Sequence, residues 1–176
     1  MKIGIIIMAS TLWCVAGPAT AETDCLLETP AEVAVRFYEA MGARDFTTAV
    51  ACLHPDVHAE FIERFDLEPT PQNRERLDTI AVLYGAADID ELREWEPARI
   101  MAAHYSLMVK YGPPTDAKPV ELRFEVLDQR MVSDTEAAVI LRVLPSPGYP
   151  ENNIDVPLEK TAGECWRLTE MGQFLR

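Results

Sequence analysis

The chain has no basic stretch and few cations from which to build one. Its 176 residues carry 16 lysines and arginines against 29 aspartates and glutamates, a net charge of −13. A surface of that sign repels phosphate backbones and anionic headgroups, which argues against nucleic-acid and membrane-surface partners. Long apolar runs are missing as well. The N-terminal run from Ile3 to Val15, interrupted by Ser10 and Thr11, falls short of the roughly 18–20 residues a membrane span needs. Stable membrane insertion is therefore not expected. Cysteine is scarce, with four in all, and no two of them stand at zinc-ligand spacing. There is no Gly-x-Ser-x-Gly elbow, P-loop, dinucleotide fingerprint or His-Glu-x-x-His pair. No metal or cofactor is expected from such a chain. Internal repeats, low-complexity segments and an interdomain linker are also absent, so one domain is expected.

What is present begins with an export signal. Lys2 supplies a short positive start, the run to Val15 supplies the apolar centre, and Gly17-Pro18 breaks any helix. Ala19-Thr20-Ala21 then offers the small-x-small site that a signal peptidase requires before Glu22. Residues 1–21 are expected to be cleaved, leaving residues 22–176 as an acidic domain in the periplasm or outside the cell. Cys14 follows Trp13 rather than a small residue, so it does not read as a lipidation site. Loss of Lys2 leaves 15 basic residues against 29 acidic ones, a charge of −14 on 155 residues. A chain of that length can bury a real core. The remaining cysteines are Cys25, Cys52 and Cys165, in a compartment that permits a disulfide. Cys52 lies in the apolar stretch Ala49–Leu53 and reads as a buried free thiol. Cys25 and Cys165 stand near opposite ends and could form one bridge. The alternative is three unpaired thiols.

The periodicity predicts helices first and strands after. Thr29-Pro30-Ala31-Glu32 is a capping box with proline at the first helical position. Val33, Phe37 and Met41 continue it as one apolar stripe ended by Gly42. Asp45 caps a second helix from Phe46 to Leu53, stopped by Pro55. A short turn of helix over 58–65, a helix from Thr70 to Tyr84 and another from Pro97 to Lys110 complete the helical half. The last presents Ile100, Ala103, His104, Leu107 and Met108 on one face. From Pro119 the period falls to two: Val120, Leu122, Phe124 and Val126 alternate with charged residues, as in a strand with one buried face. Further strands are expected over 137–144, 154–158 and 165–169, joined by short turns. The fold class is α+β: N-terminal helices on an antiparallel meander, with a helical insertion before the sheet.

Ala31-Glu32-Val33-Ala34-Val35-Arg36-Phe37-Tyr38-Glu39-Ala40-Met41-Gly42-Ala43-Arg44-Asp45-Phe46-Thr47-Thr48-Ala49 resembles the first two helices of the nuclear transport factor two-like superfamily. That superfamily has a cone-shaped α+β fold shared with ketosteroid isomerases and scytalone dehydratases. Leu53-His54-Pro55-Asp56 is similar to its exit from the second helix, and Gly163-Glu164-Cys165-Trp166-Arg167-Leu168 to its last hairpin. The resemblance implies a curved antiparallel sheet under the helices. It does not fix an activity, since members include enzymes, binding modules and scaffolds.

Candidate chemistry is thin. A dehydratase-like reading would make His104 a general base oriented by Asp56 or Asp128. An isomerase-like reading would use Asp128 as base and Tyr38 as oxyanion donor. His54 and His58 are four apart, with Asp56 and Glu60 nearby. Pro55 argues against the single helix that would set both on one face, so they read as loop histidines. Trp166 reads as core, and Trp95, among charged neighbours, as a helix-packing residue or a contact surface. Three functions compete: non-catalytic binding of a small apolar ligand or a protein partner, a structural or homodimerisation module, and a cofactor-independent lyase or isomerase using His104.

Overall fold

A computed structural model describes residues 28–65, 67–112, 122–145 and 151–170. Six helices precede a four-stranded antiparallel sheet among them, so the chain is α+β with the helices first. The leading 21 residues, Cys14, Cys25 and Val120 lie outside the described residues.

Helix α1 (Pro30–Ala43) starts as its capping box dictates. Thr29 Oγ1 accepts from the Glu32 amide at 3.3 Å, and the Glu32 carboxylate accepts from the Thr29 amide at 2.7 Å. It ends later than its glycine implies. The helix runs through Gly42, and Arg44 takes the left-handed conformation at φ 62°. Asp45 caps α2 (Phe46–Ala51), accepting from the Thr48 amide. Helix α3 (Pro55–Glu63) differs from the expected loop and late turn. Pro55 stands in its first turn, where a missing N–H costs nothing. His54 is its N-cap, Nδ1 accepting from the Asp56 amide at 3.3 Å.

Helix α4 (Arg74–Tyr84) ends at Gly85, whose φ of 96° is a conformation that few side chains tolerate. The sequence Asp88–Asp90 that follows starts a further helix, which the periodicity did not predict. Asp88 accepts from the Glu91 amide and caps α5 (Ile89–Arg93), which buries Ile89 and Leu92. Helix α6 (Pro97–Tyr111) then joins two groups of helices: it packs on α2 and α3 and also on α4.

The strands are β1 (Phe124–Met131), β2 (Glu136–Val143), β3 (Asn152–Lys160) and β4 (Trp166–Leu168), in the order β1-β2-β3-β4. Alternation sets Ala137, Val139, Leu141 and Val143 of β2 inward, in register with Leu158, Val156 and Ile154 of β3. Helix α1 lies across β1, β2 and β4 and supplies Val33, Phe37 and Tyr38 to the same core. Trp166 and Leu168 close it from β4. A second apolar cluster joins Leu77 and Ala81 of α4 to Ile89, Leu92 and Ile100, with Trp95 packed at its margin.

Strand β1 departs from the sequence pattern. Leu122 is buried, but Val126 is 43% exposed although it stands opposite the buried Leu141. The ladder skips a residue between Val126 and Asp128, so Leu127 is extra. Such a bulge turns an edge strand away from its neighbours. The apolar alternation therefore does not bury this strand beyond Phe124.

Candidate functional site

Packing α6 between α2 and the end of α4 leaves an open groove of about 600 Å³. Its floor is the outward ridge of α6: Ala98, Arg99, Ala102, Ala103 and Ser106. One wall is Thr47, Val50 and Ala51 of α2, and the other is Tyr84 with Gly85. Trp95 and Glu96, just before α6, complete the lining. The groove exists because the facing residues are small: alanines and a serine on α6 keep the floor low, and Gly85 adds no side chain to the wall.

Two polar arrangements border this groove. The Arg99 guanidinium lies 3.5 Å above the Trp95 ring centre, close enough for a cation–π contact that fixes both side chains. The Tyr84 hydroxyl lies 2.7 Å from His104 Nδ1. His104 is surrounded by the rings of Phe61 at 5.3 Å and Phe65 at 5.1 Å, with Tyr84 and Tyr105 each at 6.1 Å. Burial pushes the His104 pKa down and the Tyr84 pKa up. Near neutrality the imidazole is uncharged, and in its Nε2-protonated tautomer Nδ1 accepts a hydrogen bond from the phenol.

The candidate catalytic residues do not converge. Among the described residues His104 is hydrogen-bonded to Tyr84 and to no carboxylate. Tyr38 lies in the sheet core, in ring contact with Phe37 and Phe124, and burial raises its pKa to about 12. Asp128 is exposed on β1, opposite Ile140. Asp56 is exposed in the first turn of α3, 3.4 Å from His54. His58 Nε2 lies 2.9 Å from the Val50 carbonyl, and burial lowers its pKa, so it serves as a donor to backbone. No group of three or more metal-ligating side chains assembles among the described residues.

Cys52 is the free thiol among the described residues, and it is buried. The Arg36 Nε donates to its sulfur at 3.3 Å, while Arg36 is itself paired with Glu28. Burial raises the thiol pKa against the opposing pull of Arg36 and Arg167. That is the environment of a packed, unreactive thiol. Cys165 is buried and is not free.

Sequence reasoning passed over Tyr84, Arg99 and the small residues of α6 and α2. The available signal was the spacing Ala98, Ala102, Ser106, which sets small side chains along one helix ridge. The fold so described defines an α+β protein with a helical groove beside its sheet core. Compared with protein-family models, curated proteins and solved structures, the chain matches none.

Proposed function

We propose that the chain is an exported, non-catalytic binding domain that takes a small apolar ligand in the groove between α2, α6 and Tyr84. The observation that carries this reading is the groove itself. At about 600 Å³ it falls in the ~300–1,000 Å³ range of small-molecule sites. Its lining sets the alanines of α6 and the Trp95 ring beside a few polar groups, among them Arg99, Ser106 and Tyr84. The phenolic oxygen of Tyr84, held by His104, can accept a hydrogen bond from a bound molecule, and Trp95 offers an aromatic face. Pairing of His104 with a tyrosine leaves a general-base mechanism without a carboxylate to orient it, which favours binding over catalysis.

Export rests on Lys2, the apolar run after it and the Ala19-Thr20-Ala21 site. Membership of the nuclear transport factor two-like superfamily rests on the motifs around Phe37, His54 and Trp166, together with helices that precede an antiparallel meander. A Cys25–Cys165 bridge is part of the same reading, since Cys165 is not free.

The test is titration with the neutral apolar fluorophore N-phenyl-1-naphthylamine. Saturable fluorescence enhancement is expected for the native chain. Thr47→Trp, an exposed substitution on the groove wall, is expected to abolish it without changing the circular dichroism. Enhancement that is undiminished in Thr47→Trp would refute the reading.

A further inference from the structure

The two edges of the sheet are finished differently. At β4 the edge is sealed. The His54 amide donates to the Leu168 carbonyl at 2.8 Å, the Leu168 amide donates to the Cys52 carbonyl at 2.9 Å, and Leu53 bridges to Leu168. At β1 no strand pairs with the outer edge among the described residues, and α1 reaches it where the Ala31 amide donates to Gln129 Oε1 at 3.2 Å. The Val132 amide donates to the Glu136 carbonyl, so alternation turns the backbone groups of Met131 and Gln129 away from β2. Among the described residues no backbone hydrogen bond satisfies them on that side. Four large apolar side chains crowd the same strand: Val126, Leu127, Met131 and Val132 are 38–58% exposed.

An open edge of this kind is a template for another strand. We propose that it pairs with β1 of a second copy of this chain, antiparallel, across a two-fold axis at Gln129, to give a continuous eight-stranded sheet. The sequence of the strand selects that partner and that register. With Gln129 opposite itself, Asp128 faces Arg130 of the second copy twice over. The bulge at Leu127 ends the regular pairing on that side, so the matched segment centres on Asp128, Gln129 and Arg130. Among the described residues neither Asp128 nor Arg130 forms an ion pair within the protomer. Moving the axis by one residue sets Asp128 against Asp128 or Arg130 against Arg130, and like charges directly opposite are destabilising. Bulges and charges commonly block edge pairing. Here the opposite signs of Asp128 and Arg130 block the shifted registers and fit the centred one.

One strand per copy makes a small interface, so a dimer in the micromolar range is expected. Sedimentation velocity of the purified protein from about 1 to 300 µM covers that range. The native chain is expected to pass from monomer to dimer with concentration. Asp128→Arg and Arg130→Glu should each weaken the dimer at least about tenfold, because each sets like charges opposite one another twice. The double variant restores the complementarity and should restore the dimer. Circular dichroism checks that each variant folds, and amide exchange at Gln129 and Met131 should slow in the dimer. A native chain that stays monomeric throughout overturns the proposal, including the case in which the edge accepts a strand from a different protein. Single reversals without effect, or a double variant without rescue, overturn it equally.

Discussion

Replacing Tyr84 by phenylalanine removes one hydroxyl and little else. That oxygen lies 2.7 Å from His104 Nδ1, in a partly buried setting lined by Phe61, Phe65 and Tyr105. Burial raises the Tyr84 pKa and lowers that of His104, so the bond joins two neutral groups, with the phenol as donor in the expected Nε2-protonated tautomer. A neutral bond contributes about 0.5–1.5 kcal/mol net, and an acceptor left without a partner adds a desolvation cost. Partial exposure of His104 lets water recover some of it, so Tyr84→Phe should destabilise by about 1–2 kcal/mol. For a chain of this size each kcal/mol lowers the melting temperature by roughly 2–4 °C. Urea unfolding gives the free energy, and nitrogen-15 NMR of the imidazole gives the tautomer. The native chain should show neutral His104 protonated on Nε2, with Nδ1 as acceptor. Unchanged stability, or a proton found on Nδ1, would refute the reasoning.

Acidification should weaken the fold before the carboxylates titrate. Burial lowers the pKa of both His58 and His104 in the native state, while the unfolded chain titrates near 6.5. Their contribution is complete above that value and is lost as pH falls through 6.5 toward the lower native values, where the unfolded state holds more protons. The slope for each histidine cannot exceed about 1.4 kcal/mol per pH unit, and solvent screening reduces it further at the partly exposed His104. Urea midpoints between pH 7.5 and 5 should therefore fall, and a flat or rising trend would contradict the burial of these rings. Intact-mass measurement of the exported protein should give a chain that begins at Glu22 and lacks two thiol hydrogens. Serine at Cys165 should return the mass to that of the fully reduced chain, apart from the substitution itself.

The parts of the fold legible in the sequence are those set by local chemistry. The capping box at Thr29 and Glu32, the cap at Asp45 and the strand expected over 137–144 each depend on a few neighbouring residues, and the structure contains them all. Helix α5 was hidden because Asp88 reads as part of an acidic cluster until its side chain is seen to cap Ile89–Arg93. His54 was hidden similarly: before a proline it looks like a loop residue, and it is an N-cap. Val126 continues an alternating pattern, yet burial depends on what covers the strand: α1 packs on Phe124, and the bulge after Val126 breaks the ladder there. The groove was the least legible feature. It depends on contacts between α2, α4 and α6, and the partner of His104 lies 20 residues away on another helix. Pattern within a single element carries no information about such a pairing.

Chemical-shift mapping with N-phenyl-1-naphthylamine tests the proposed binding site most directly. The account predicts saturable shifts concentrated at Val50, Ala98, Ala102, Ala103 and the Tyr84 ring, all lost in Thr47→Trp. Shifts centred elsewhere, or a spectrum unmoved by the probe, would contradict it.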